Sequence, residues 1–202
     1  IWSDASYSQY HADEGIVHDA GLGVVIYDPE TGETIVAAAQ TPTYFFCIFL
    51  YKKQYVGQLE ALAALTAYTT AAAYRPGMFT DREVVHFVDN TSAVAGLRKG
   101  YSSRADTALI LISFWLLITI LRCNPWFEYV PSKLNIADLP SRGDTEHLLD
   151  CCNMTEVPYV FPPHSMWRSP VGEWYDILRK AFGKPTRTAR RALAKRKRAN
   201  GD

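Results

Sequence analysis

The sequence predicts an α/β fold. A mixed five-stranded sheet, with three antiparallel strands followed by parallel ones, is flanked by helices and followed by a C-terminal extension. Three observations carry this. Gly21–Tyr27 and Glu33–Ala39 are two apolar runs separated by Asp28-Pro29-Glu30-Thr31-Gly32, a turn sequence that joins them as a hairpin. Val84-Val85-His86-Phe87-Val88 is a short apolar run between two helical stretches, as expected of a strand reached by a helical crossover. Pro125–Val130 repeats that arrangement after the next helix.

The elements follow in order. Residues 1–9 open with a strand. Residues 41–56, with Tyr44-Phe45-Phe46 and Phe49, are strongly aromatic and are expected to pack on the domain or on a partner. Gln58–Tyr74 is built from good helix formers and stops at Arg75-Pro76-Gly77. Val84–Asp89 reads as a strand buried on both faces, since its apolar run is continuous. Asn90 or Thr91 caps a short helix through Leu97, ended by Gly100. Ser103 with Asp106 three residues later resembles a capping box opening the apolar helix 104–122. Pro125–Val130 is the last strand, and a helix begins near Ile136. Beyond residue 145 the pattern weakens. Val157-Pro158 and Pro162-Pro163 read as extended chain, and Glu173–Phe182 as a docked helix. The expected organisation is a domain over 1–143, a docked Pro- and aromatic-containing extension over 144–183, and a basic tail over 184–202 that is disordered or partner-bound.

At 202 residues, 48% apolar and 21% charged, the chain has ample material for one core. Its zero net charge hides an asymmetry. Residues 184–202 hold eight Lys/Arg and one acid, +7, leaving 13 Lys/Arg against 20 acids, −7, in residues 1–183. An acidic body is a poor general nucleic-acid binder unless divalent cations neutralise part of it. The most apolar stretch, Ala108–Leu121, is 14 residues long, too short to span a bilayer, and no membrane role is expected. Cys47, Cys123, Cys151 and Cys152 show no CxxC spacing, so free thiols in a reducing intracellular compartment are expected. His147 with Cys151 and Cys152 is half a zinc site without a second half. The chain starts at Ile1 with no signal peptide in view, as expected of a processed or excised piece.

Four acids stand where an active site needs them. Asp4 closes the first strand, Glu60 opens the Ala-rich helix, Asp89 ends the run Val84–Val88, and Asp138 lies in Asn135-Ile136-Ala137-Asp138-Leu139-Pro140-Ser141-Arg142. Each alone has an ordinary explanation as a turn residue, a solvated helix face, a cap or a first-turn acid. Together, in strand, helix, strand, helix order, they point to a carboxylate cage for divalent metal and to phosphodiester chemistry.

The order β-β-β-α-β, with acids in Ser-Asp-Ala-Ser, Gln-Leu-Glu-Ala, Val-Asp-Asn-Thr and Asn-x-Ala-Asp-x-x-Ser-Arg, resembles the ribonuclease H domain of reverse-transcribing elements. Val130–Arg142 is similar to the terminal motif of gypsy-like and tyrosine-recombinase-type retroelements, and the resemblance covers residues 1 to about 143. It implies an RNase H-like fold and a hydrolase that cleaves the RNA strand of RNA–DNA hybrids. It also implies that Asp4, Glu60, Asp89 and Asp138 bind two Mg2+ ions, with Mn2+ as a substitute. Ser6, Asn90, Lys133 and Arg142 are the expected substrate contacts, with ordinary roles as turn former, cap and ion-pair partner competing for Ser6, Asn90 and Arg142.

Two departures stand out. Cellular RNases H often carry a His in the loop before the last acid. Here the loop reads Ser132-Lys133-Leu134-Asn135, and Lys133 cannot shuttle protons as an imidazole does. The basic protrusion of the family is reduced to Leu97–Arg104 with three basic residues, which predicts weak hybrid affinity for the isolated domain. Integrase-type cages need a helical Glu after the second Asp, and proofreading exonucleases need Asp-x-Glu on the first strand; neither is present. The competing reading is a domesticated RNase H-like module in a larger assembly. Its partner surfaces would be 41–56 and 145–202, facing a reverse-transcriptase polymerase domain or an RNA–protein complex.

Overall fold

The structure is a computed structural model and describes residues 1–12, 15–50 and 54–183, without the side chains of residues 11, 12, 15 and 151. The basic tail expected over 184–202 lies outside the described residues, as do 51–53 of the aromatic segment and the Cys151 side chain of the half zinc site.

The chain opens with β1 (Trp2–Ala5), β2 (Ser8–Ala12), β3 (Gly15–Asp19), β4 (Gly21–Asp28) and β5 (Glu33–Gln40). β4 pairs antiparallel with β1 and, from Gly21↔Gln40 to Asp28↔Glu33, with β5. β2 and β3 pair only with each other, prolonging the β1–β4 hairpin beyond the main sheet where one strand was expected. The turn after β4 is closed by Gly32 at φ 72° and secured from below. Asp28, 2% exposed, holds Arg82 at 2.9 Å and also pairs with Arg75, tying the hairpin turn to the segment between the long helix ending at Tyr74 and the strand starting at Glu83. Removing this buried carboxylate takes away the acceptor shared by two arginines, which keep Glu33 and Glu30 as their remaining partners. Asp28→Ala is therefore expected to cost about 2 kcal/mol, read as a lowered urea midpoint with an unchanged slope.

Next come α1 (Tyr44–Ile48), α2 (Val56–Tyr74), β6 (Glu83–Val88), α3 (Thr91–Lys99), α4 (Ala105–Leu121) and β7 (Asn124–Tyr129). α2 is buried without a break from Gln58 to Ala72. Its run of alanines explains this: small side chains all round let one helix lie between the sheet and α4 without a solvent face. Asn90 caps α3, its Oδ1 accepting from Ala93 N at 3.0 Å. The capping box expected at Ser103 and Asp106 does not form. Asp106 is 1% exposed and accepts instead from Gln58 Nε2 at 2.9 Å and Leu50 N at 3.2 Å, because a buried amide on α2 needs a partner.

The main sheet has the order β7-β6-β1-β4-β5-β8, with β8 (Thr155–Glu156) added parallel to β5. β6 is parallel to both β1 and β7. This is an RNase H-like fold, resting on strand order and direction: three antiparallel strands, then two parallel ones on the other side of β1. Two expectations need correction. β7 is not the last strand, since the extension supplies a sixth. β6 is not buried on both faces either: it alternates, and Val85 is 48% exposed beside Trp126 at 65%. The helices α2, α3 and α4 cover one face. On the other, α5 (Asp138–Ser141) and α6 (Glu146–Cys152) cover β4, β5 and part of β1, through Val25, Val36 and Leu148 with Trp2 packed beside them.

After β8, residues 157–183 pack on the helical layer. Thr66, Thr69 and Thr70 of α2 bond the chain at Tyr159 and Val160, which accounts for three buried hydroxyls in one helix. α7 (His164–Trp167) brings Trp167 against Phe45, ring centroids 5.4 Å apart, and α8 (Trp174–Phe182) buries Trp174 and Leu178 beside α4. The aromatic segment thus packs on this chain's own helices. Among the described residues, no helix is long and apolar enough to cross a membrane.

Candidate metal centre

β1 and β6 are parallel neighbours, so their carboxyl ends open at the same edge of the sheet, beside the point where strand direction reverses between β1 and β4. Ligand sites form there because loops diverge and leave a crevice. Asp4 lies near the end of β1, Asp89 follows the last residue of β6, and Glu60 sits in the second turn of α2. Each offers a carboxylate oxygen, and these oxygens all lie within 4.8 Å of one another.

Such an arrangement is unfavourable by itself. Burial pushes the Asp4 carboxyl up to about 6; a hydrogen bond from Ser141 opposes the shift, while the charges of Asp89 and Asp138 add to it. Burial also drives Glu60 well above the usual carboxylate range, helped by Asp4 and Asp89. Glu60 Oε2 is buried with no hydrogen-bond partner. A set of acceptor-only oxygens, partly desolvated and mutually repelling, with one orphaned lone-pair donor, fits a hard divalent cation. A bound dication relieves all three defects at once.

Asp138, the fourth predicted acid, begins α5 and stands outside this triplet. Its carboxylate, 35% exposed, is engaged by Arg142 Nε at 2.9 Å across one helical turn, and its charge still reaches Asp4. Arg142 therefore forms the surface ion pair that competed with a substrate contact. Ser6 is occupied: its hydroxyl donates to Ser141 O at 2.6 Å and accepts from Gly21 N at 3.2 Å. Asn90 lies next to Asp89 but serves as a helix cap. Lys133 is exposed in a turn of 3-10 helix, Ser132–Leu134. His86 offers no replacement for the missing loop imidazole. It is buried, held neutral by desolvation, and paired with Ser3 Oγ at 2.9 Å.

Two residues at the site escaped the sequence reading. Asn135 and Ser141 flank Asp138 at three residues on either side, and both bond toward β1. The spacing was visible; their target was not. Beside the acids, a groove of about 600 Å³ runs between the start of α2, α3 and the loop before α4, lined by Gln58, Ser92, Lys99, Tyr101, Ser103 and Arg104. Arg98, the third basic residue of this loop, is turned away onto Phe127 O and Glu128 at the sheet edge.

No protein-family model and no curated protein matches the chain. Among solved structures, it is similar to the crystal structure of RNase H1 from the halophilic archaeon Halobacterium salinarum NRC-1, at 16% identity and a TM-score of 0.47, over 72% of this chain and 98% of that one. A likeness at that score carries no weight of its own; the strand order and register carry the fold.

Proposed function

We propose that this chain is a divalent-metal-dependent endonuclease that hydrolyses the RNA strand of RNA–DNA hybrids, derived from a retroelement reverse transcriptase. The observation that supports it is the convergence of Asp4, Glu60 and Asp89 within 4.8 Å, with Glu60 Oε2 buried and unpartnered, on an RNase H-like sheet. In this reading Asp4, Glu60 and Asp89 hold Mg2+, or Mn2+ in its place, and Asp138 is the fourth ligand. The metal supplies Lewis-acid activation of water and charge stabilisation at the scissile phosphate.

The chain's own residues divide the remaining work. Arg142 holds Asp138 at the rim and is near enough to the acids to meet a phosphate. Lys99 and Arg104 line the adjoining groove and suit the backbone of a nucleic-acid strand. Selection of RNA rests on contacts to successive 2′-hydroxyls across the hybrid minor groove. Residues 1–143 carry the chemistry, and 157–183 brace its helical layer. The competing module reading loses ground, because much of the aromatic segment, including Phe45 and Phe49, is buried in this chain.

The test is a labelled RNA–DNA hybrid with Mg2+, alongside Asp89→Asn. The wild-type chain is expected to cleave the RNA strand, and Asp89→Asn to lose at least about 10³-fold in rate. Equal cleavage by both proteins, or none by the wild type with metal bound, would turn the assignment toward a binding module.

A further inference from the structure

The block Asn135–Arg142 places Asp138 at the rim of the centre, yet its two buried polar side chains serve a different acid. Ser141 is 1% exposed and Asn135 4%. Ser141 Oγ donates to Asp4 Oδ2 at 2.5 Å, with Asp138 O at 2.9 Å as its other acceptor. Asn135 Nδ2 donates to Ser3 O at 3.0 Å and lies 3.5 Å from Asp4 Oδ1, while its own Oδ1 accepts from Ala137 N at 3.2 Å. One donor thus faces each oxygen of Asp4.

The backbone beneath is shaped for this. Gly23 stands directly opposite Asp4 in the β1–β4 pair. A Cβ on Gly23 would come within 2.3 Å of Ser141 N and 2.6 Å of Ala137 O, and one on Gly21 within 1.9 Å of Ser141 O. Only two glycines let α5 lie flat on β4, and the Ser6 hydroxyl pins it there through Ser141 O.

We infer that Ser141 and Asn135 are positioning residues that set the rotation of the Asp4 carboxylate and thereby the metal affinity of the centre. The inference rests on the metal-site reading above. A carboxylate free to turn at the end of a strand presents its oxygens to a cation only part of the time. Fixed by a charge-assisted hydroxyl on one oxygen and an amide beside the other, it is ordered before the ion arrives. The block therefore has two duties: Asp138 contributes a carboxylate, and the residues three before and three after it orient another one.

The experiment is Mn2+ binding to the full chain by titration calorimetry, with bound ions counted by electron paramagnetic resonance. Ser141→Ala, Asn135→Ala and Asp4→Asn are compared, together with Ser141→Ala on the Asp4→Asn background. Ser141→Ala and Asn135→Ala are each expected to weaken Mn2+ binding about tenfold while melting cooperatively. On the Asp4→Asn background, Ser141→Ala is expected to add no further loss, because its effect runs through Asp4. Tight binding by wild type and by both alanine variants would overturn the inference and leave the metal site standing. A further loss on the Asp4→Asn background would also overturn it, as would weakened binding accompanied by lost cooperative melting in both variants, which would assign the two residues to the fold. Absence of Mn2+ binding by the wild type would remove the metal site and the inference together.

Discussion

Gly23→Ala is expected to dismantle the metal centre and to destabilise the chain by about 3 kcal/mol or more. The added Cβ meets Ser141 N at 2.3 Å, Ala137 O at 2.6 Å and Pro140 C at 2.9 Å. All three are backbone atoms, so no side-chain rotation relieves the clash and α5 must lift from β4. Lifting it separates Ser141 from Asp4 and moves Asp138 away from the edge where the acids meet. Chemical denaturation measures the first effect, and Mn2+ titration, expected to show no measurable binding, the second. Gly57→Ala is the control: a Cβ there meets nothing within 4 Å at the start of α2, so a neutral or slightly stabilising change, within about 1 kcal/mol, is expected.

The second large effect is stability that the clustered acids lose as pH rises in metal-free protein. Asp4 is raised from 3.8 to about 6 by burial and by neighbouring carboxylates, against the Ser141 hydrogen bond. A carboxyl whose folded pKa exceeds its unfolded value contributes stability that is fully present below the unfolded pKa and lost as pH rises through the folded one. Metal-free chain is therefore expected to lose about 2–3 kcal/mol from Asp4 between pH 4 and pH 6.5, with Glu60, shifted in the same direction, extending the loss upward. Millimolar Mg2+ at pH 7.5 is expected to restore the melting temperature, since an ion that binds only the folded state stabilises it by mass action. Glu60→Gln is expected to flatten the pH slope and abolish the Mg2+ response. Differential scanning calorimetry with and without chelator reads both. A pH slope in chelator that is the same in Glu60→Gln as in the wild type would contradict the convergence of the acids.

Much of the site was legible in the sequence because its acids lie at the ends of strongly marked elements. Val84–Val88 and the alanine run after Glu60 identify their elements from local composition alone, so the acids at their ends could be located without tertiary information. What local pattern could not convey was the environment on each face. The run Val84–Val88 looks buried on both sides, yet Val85 is half exposed, because the short helices of the second layer cover β5, β4 and part of β1 and stop short of β6. Ser103 and Asp106 have the spacing of a capping box, but the buried amide of Gln58 draws the Asp106 carboxylate inward. The extension read as a docked appendage, and its threonine-bonded path over α2 and its added strand β8 show where it docks.

Residue type and short-range spacing were enough to locate the main strands and helices of 1–143 and the four candidate acids at their ends. Only the tertiary structure decided which acids meet. Asp4, Glu60 and Asp89 converge, while Asp138 stands outside them, paired with Arg142. It also decided that Asn135 and Ser141 belong to Asp4, across more than 130 residues of chain. That pairing depends on two backbones in contact at Gly21 and Gly23, and contact between distant backbones leaves no mark in local spacing.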